Sequence, residues 1–372
     1  MPDSLVSVII PAFNQAPFLA EALESVLQQS YSHIEILLID DGSTDGSPAI
    51  ALTYAQKDPR LHYIRQENKG PAAARNLGIT KSSGAYLCLL DGDDRMAPER
   101  IALQLKAFQD DPSIDIVFTA LGIIDQEGNS LGIMRSLDYA YENFLPHLFF
   151  RNVIPGPSTI MAKKHCFVQN PYDETFIHAE DYELMVRLAH LYHFKYLNLP
   201  LTDYRRHKEN LSNNLNAHRQ AEIIVLARYS LEHIASTVNK SSLSTEEKTM
   251  LLGKIFFNLE HIEKALALFQ GLAAPLASFY AGNCYAKLQK WNEGRRAYLE
   301  ALRLDPLNAA CHNNLGVLYA LQEIDKAAFH FQQAVKLKSG YQDALFNLAH
   351  RDKPALMRWT WRELRPDLLP YS

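Results

Sequence analysis

Residues 89–94, Leu-Leu-Asp-Gly-Asp-Asp, place carboxylates at Asp91, Asp93 and Asp94 directly behind an apolar run. A buried strand that delivers acids to a sheet rim, with glycine at 92 to turn the backbone, suits a hard divalent cation. Carboxylates two residues apart offer it oxygen ligands, and Mg²⁺ or Mn²⁺ in such a site keeps water and bridges substrate phosphates. The plain alternative is a turn that is acidic because Asp favours turns. Two more polar clusters follow apolar runs in the same way: Asn14, and Asp40-Asp41-Gly42-Ser43.

The elements that must carry these clusters are legible. Val6 to Pro11, Ile34 to Ile39, His62 to Arg65 and Ala85 to Leu90 read as strands. Residues 17–29 show apolar positions at helical spacing, and Asp45 to Gln56 and Pro71 to Thr80 read as further helices. Strand-helix alternation predicts an α/β fold with a mostly parallel sheet and helices on both faces. Ligands of such sheets bind beyond the C-terminal strand ends, where all three polar clusters fall. From about residue 112 to 212 the pattern loosens into strands and loops that complete the first domain. Residues 217–238 read as a connecting helix, and Ser241 to Thr245 as a break.

The chain has 372 residues, which favours two domains, and 47% hydrophobic content with 21% charged residues is globular. A formal charge of −5 speaks against a nucleic-acid partner. Cys88, Cys166, Cys284 and Cys311 are scattered and read as reduced thiols in a cytoplasmic protein. No apolar run is long enough for a transmembrane segment, and the N-terminus lacks a basic leader region.

Beyond residue 245 the sequence repeats. Gly282 aligns with Gly316 and Tyr285 with Tyr319, each 34 residues apart, and a weaker unit precedes them at Leu252-Gly253, Phe256, Ala265 and Phe269. Small residues let paired helices approach, and aromatics fill the gaps. Residues 246–350 thus resemble tetratricopeptide repeats. That resemblance implies a protein partner or self-association through the helical repeats; a helical cap with no outside partner is the other reading.

Four ordered motifs carry a second resemblance: Ser7 to Asn14 (SVIIPAFN), Ile39 to Asp45 (IDDGSTD), Asn68 to Asn76 with its Asn-Lys-Gly-Pro opening, and Leu90 to Asp94 (LDGDD). With His178-Ala179-Glu180-Asp181 and the run from Tyr204 to Ser212, residues 5–212 resemble family 2 inverting glycosyltransferases of the GT-A fold. The resemblance implies a nucleotide-diphosphate sugar donor, with a UDP-sugar favoured. Pro11, Ala12 and Phe13 would line the base pocket, Asp41 would accept a hydrogen bond from the base, and Asp40 is the alternative. Arg75 would contact the nucleotide, Asp91 the ribose, and Asp93 the divalent cation, Mg²⁺ or Mn²⁺, with Asp94 supporting it or capping a helix. His207 would add a metal or phosphate contact, and Arg205 or Arg206 would neutralise the diphosphate.

Inversion needs one base opposite the leaving group. Asp181 is the candidate, with Glu180 beside it as positioner; a second nearby carboxylate raises one pKa toward the working range. The plain reading of this pair is ordinary acids at a helix start. The acceptor would be a hydroxyl of a glycan, a lipid-linked glycan or a protein. A nucleotide-sensing scaffold acting through its repeats is the alternative function.

The aromatic stretch Tyr139, Tyr141, Phe144, Phe149 and Phe150 reads as core before acceptor groove, and His147, His190 and His193 as packing or surface residues. The expected domains are 1–215 for the transferase, 216–245 for a connecting helix and linker, 246–350 for the repeats and 351–372 for a tail. In that tail Trp359, Trp361, Arg358, Arg362 and Arg365 would dock on the repeats or touch a membrane. The expected location is cytoplasmic, with peripheral contact at the inner membrane face as an option.

Overall fold

The computed structural model describes residues 4–321 and 324–364. Contacts divide the chain into two compact units, Met1–Tyr229 and Ser230–Ser372.

In the first unit the order is β1 (Val6–Ala12), α1 (Leu19–Leu27), β2 (Ile34–Asp40), α2 (Ser47–Lys57), β3 (Leu61–Arg65), α3 (Pro71–Lys81) and β4 (Tyr86–Leu89). There follow β5 (Arg95–Met96), α4 (Arg100–Asp110), β6 (Ile116–Ile124), β7 (Ser130–Met134), α5 (Tyr141–Phe150), β8 (Met161–Lys163), α6 (Lys164–Gln169), α7 (Glu180–Ala189), β9 (Phe194–Arg205) and α8 (Leu215–Ala227). The sheet runs β3-β2-β1-β4-β8-β6-β9-β5, with β7 paired to β6. The strands β3, β2, β1 and β4 are mutually parallel, as the alternation predicts. β8 then enters antiparallel to both β4 and β6, and β5 antiparallel to β9, so the second half is mixed.

The parallel half is built from near-continuous aliphatic runs because helices cover both its faces. Every residue of β1 is buried, and the face under α1 and α4 packs Val6, Val8, Ile10, Leu23, Ile36, Leu38, Ile101 and Phe108 into one core. In register Ala12 pairs with Asp40, and Asp40 with Arg65, so the three strands end together. That shared edge is where the acidic clusters emerge. Phe144, Phe149 and Phe150 are core residues, while Tyr141 is exposed.

The second unit holds α9 (Leu231–Lys240), α10 (Thr245–Asn258), α11 (Ile262–Gln270), α12 (Pro275–Lys287), α13 (Trp291–Leu304), α14 (Ala309–Ala320), α15 (Ile324–Leu337) and α16 (Gln342–Ala349). Residues 217–238, expected as one helix, are two: α8 stops near Arg228, and Ser230 starts α9 by accepting a hydrogen bond from the His233 N–H. Ser244 opens α10 with a reciprocal capping box to Glu247.

The repeat signature has one packing cause. A Cβ on Gly253, Gly282 or Gly316 would sit 2.6, 2.5 or 2.6 Å from the ring of Phe269, Tyr298 or Phe331. Each aromatic comes from the second helix of its pair, so glycine is what lets the ring lie against the first helix. Beyond α16, residues 357–363 lie against the helices, with Met357 and Trp359 packed on Val317 and Phe331. Arg365 lies outside the described residues.

Candidate active site

The acidic turn after β4 is held by its neighbours. The Asp91 N–H donates to Ser158 Oγ at 2.9 Å and the Gly92 N–H to the Pro11 carbonyl at 3.2 Å. A Cβ at 92 would lie 2.2 Å from Gln15 Oε1 and 3.2 Å from the Pro11 carbonyl, so a larger residue would have to displace the Gln15 side chain and press on the first loop. Asp93 is nearly buried, and its Oδ2 lies 2.9 Å from Nε2 of His207, which arrives just after β9. The His207 ring packs on Phe18 at 4.9 Å between centroids.

Behind them Asp94 is fully buried; Oδ1 accepts the Arg205 N–H at 3.0 Å while Oδ2 has no protein partner. Burial, then the charges of Asp93 and Asp91, hold the Asp94 carboxyl well above the usual carboxylate range. No group of three metal-type side chains forms among the described residues. The Asp93–His207 pair nevertheless fits a divalent cation, because Mg²⁺-like sites take one or two protein groups and fill up with substrate oxygens and water.

Arg205 is 1% exposed. Its guanidinium donates to the Asp93 carbonyl and the Gln126 carbonyl, both at 3.0 Å, and pairs with Glu21. Those donors serve the protein, bracing the floor under Asp93. Arg206 is partly exposed, with its N–H on the Ile124 carbonyl at 2.9 Å.

On the other side of the turn, Arg75 projects from α3. Nη2 donates to Asp91 Oδ1 at 2.7 Å and Nη1 to Glu180 Oε1 at 2.8 Å, while Nε has no protein partner. The Tyr172 ring lies 5.5 Å from the guanidinium. Glu180 and Asp181 begin α7 immediately after Ala179, whose φ of 59° is left-handed and strained for alanine. Burial raises the Asp181 carboxyl to about 7, with the Glu180 charge as the next cause and the Arg75 charge opposing. Asp91 also acts on both Asp181 and Asp94, so the acids at the end of β4 and the start of α7 share one field.

At the first two strand ends, Pro11 and Ala12 are buried and Phe13 is exposed. Asn14, at a φ of 52°, donates its N–H to Ser43 Oγ and accepts the Thr44 N–H, clasping the two loops. Asp40 accepts from the Ser43 N–H and the Tyr63 hydroxyl. Asp41 accepts from the Lys69 and Gly70 N–H groups at 2.9 and 2.8 Å and from Gln66. It thereby fixes the start of α3, and with it Arg75.

Ser158, Tyr172, Glu21 and Phe18 escaped the sequence reading. None sits in a recognisable spacing; each gains its role from a partner between 67 and 184 residues away in the chain or from a ring contact. Asn76 was legible only as part of a motif; its amide exchanges hydrogen bonds with the Tyr172 backbone.

Residues 7–169 match the profile "Glycosyl transferase family 2", and residues 282–322 match "TPR repeat". A protein of Methanocaldococcus jannaschii named as an uncharacterized glycosyltransferase is 30% identical over 209 residues, covering 55% of this chain and 72% of that protein. Chondroitin synthase of Escherichia coli is 30% identical over 208 residues, 56% of this chain and 30% of the synthase. A protein of Rickettsia bellii named as an uncharacterized glycosyltransferase is 35% identical over 187 residues, covering 50% of this chain and only 26% of that protein. The crystal structure of S. aureus TarS 1-349 in complex with UDP-GlcNAc superposes with a TM-score of 0.52 at 16% identity, covering 92% of this chain and 91% of that one. With the motifs, the sheet and these relatives in agreement, the chain belongs to glycosyl transferase family 2, its GT-A-like α/β unit continued by tetratricopeptide-type repeats.

Proposed function

We propose that the protein is an inverting, cation-assisted glycosyltransferase that moves a sugar from a nucleoside-diphosphate donor, a UDP-sugar, to an acceptor hydroxyl. The observation that carries this reading is the Arg75 bridge, which ties Asp91 at the metal-type turn to Glu180 at 2.7 and 2.8 Å. It sets Asp181, whose carboxyl burial raises, in the same field as that turn. A base is most effective when its pKa lies near the working pH. Asp181 takes the proton of the incoming hydroxyl, and Glu180, held on Arg75, keeps it raised and oriented.

Asp93 and His207 hold the divalent cation, which when bound stabilises charge on the departing diphosphate. Arg206 is assigned to the diphosphate and Arg205 to support of Asp93. Asp91 and Arg75 face the nucleotide, with Pro11, Ala12, Phe13, Asp41 and Asp40 at the base. The UDP-GlcNAc bound by TarS supports a UDP-sugar, and the chondroitin synthase relative supports a glycan acceptor over a lipid-linked glycan or a protein.

We assign transfer to residues 1–215, joined through 216–245 to repeats at 246–350 and a tail at 351–372. A protein partner or self-association through the repeats completes the reading. Four buried, unbonded cysteines support a reducing, cytoplasmic location, and among the described residues no helix is long and apolar enough to cross a membrane. The test is release of nucleoside diphosphate from a panel of UDP- and GDP-sugars with Mg²⁺, with Mn²⁺ and in EDTA. Full turnover in EDTA would remove the cation, and release from GDP-sugars alone would remove the UDP assignment.

A further inference from the structure

The His207 ring meets two partners at one nitrogen. Nε2 lies 2.9 Å from Asp93 Oδ2 and 3.1 Å from the side-chain amide of Asn210. Which end of that amide faces the ring is decided by its other contacts. The His207 backbone N–H can only donate, so the Asn210 atom 2.6 Å from it is Oδ1. The Arg205 carbonyl can only accept, so the atom 3.1 Å from it is Nδ2. The ring therefore faces an N–H, and a proton on Nε2 would set donor against donor. Nε2 accordingly presents its lone pair, and the ring carries its single proton on Nδ1. The contact with the Asp93 carboxylate then brings two electron-rich atoms together.

That pairing suits a cation. Adjacent ligands of an octahedral ion at about 2.0–2.1 Å lie roughly 3 Å apart, and the Nε2–Oδ2 separation is 2.9 Å. An ion that takes the lone pair costs Asn210 one of its three hydrogen bonds and removes the repulsion at Asp93. The bonds to the His207 N–H and the Arg205 carbonyl still hold the amide in place. Phe18 packs on the ring and steadies its plane. The turn itself has a second clasp, since the Asn213 amide donates to the His207 and Lys208 carbonyls at 2.9 and 3.0 Å.

We propose that Asn210 is a positioning residue for the cation: its amide keeps Nε2 of His207 an electron-pair donor beside Asp93, so that the pair is closed by a metal ion and not by a shared proton. This role rests on the cation assigned above to Asp93 and His207. Partners beyond the ligands fix which ring nitrogen binds, and losing one weakens metal affinity about tenfold or more.

The test uses the full-length, metal-free chain, isotope-labelled at its imidazole nitrogens, at a pH of about 8, where an ordinary imidazole is neutral. The His207 signals are those lost in His207→Gln. In the unsubstituted chain Nδ1 carries the proton and Nε2 does not; in Asn210→Ala the proton moves to Nε2, toward Asp93. In parallel, Mn²⁺ is titrated into each protein with saturating UDP and free Mn²⁺ is read by electron paramagnetic resonance. Asn210→Ala binds it about tenfold more weakly. A protonated Nε2 in the unsubstituted chain overturns the proposal. So does an Asn210→Ala ring that keeps its proton on Nδ1, even if affinity falls, because a disturbed turn weakens binding without moving a proton. Equal Mn²⁺ affinity in the two proteins overturns the role of Asn210 and leaves the cation reading standing. An unsubstituted chain that takes up no Mn²⁺ with UDP overturns both. Should Asn210→Ala fail to fold, the ring spectrum of the unsubstituted chain decides.

Discussion

Arg75 Nη1 donates to Glu180 Oε1 at 2.8 Å, tying α3 to the first turn of α7 across 105 residues of chain. Because the same guanidinium holds Asp91, one side chain fixes the spacing between the acidic turn after β4 and the candidate base. Replacing Arg75 with Ala strands two partly buried carboxylates and should cost roughly 3–5 kcal/mol, toward the lower end because the Asp91 side chain is 25% exposed. Lys restores charge without the two-pronged geometry and should recover only part of it. Urea denaturation of the three proteins checks both statements.

The raised Asp181 carboxyl fixes the sign of the pH response. Transfer requires the ionised form, so the rate should climb through pH of about 7 and level off above it. Stability runs the other way: the folded state holds this proton more tightly than the unfolded chain, so the contribution is full below about 4 and is lost as pH rises through about 7. Asp181→Asn should keep nucleotide binding, lower transfer by roughly 10²–10⁴-fold and flatten this limb of the stability curve. Calorimetry with UDP and a pH-rate series distinguish these effects.

Asp93→Ala should abolish cation-dependent donor turnover. His207→Ala, which removes one of the two proposed ligands, should weaken Mn²⁺ affinity by roughly tenfold or more. Mn²⁺ titration of nucleoside diphosphate release reads both.

Ala179 holds a left-handed φ of 59° directly before Glu180. Ala179→Gly should therefore stabilise the protein by about 0.5–1 kcal/mol, relief of a 1–2 kcal/mol backbone penalty less the entropy glycine adds to the unfolded chain. A rise in the urea midpoint confirms it and a fall refutes it.

Gly282→Ala drives a methyl into the Tyr298 ring, 2.5 Å away. The helical unit should lose about 1–3 kcal/mol, with Gly253→Ala and Gly316→Ala behaving alike. Pairing Gly282→Ala with Tyr298→Leu should recover part of the loss, measured by thermal melting.

The local patterns were enough for much of this. β1 and β2 are unbroken aliphatic runs, and burial on both faces leaves such runs few other places to lie. The acids at 40–41 and 91–94 had to fall at strand ends because the apolar runs stop there. The glycine-aromatic repeat was legible because one packing contact recurs at nearly constant spacing. By itself the sequence determined the α/β order, the rim that bears the acids and the paired helices behind it.

Tertiary structure decided what no window of sequence contains. Arg205 and Arg206 are indistinguishable neighbours on paper, and only the approach of Glu21 and the Asp93 carbonyl turns the first inward. Ser158, Tyr172, Asn283 and Asn314 acquire meaning from partners far off in the chain. The Asp181 pKa depends on burial and on the charges of Glu180 and Arg75. Periodicity reports which face of an element is apolar; desolvation, charge pairing and hydrogen-bond partners exist only once distant segments meet.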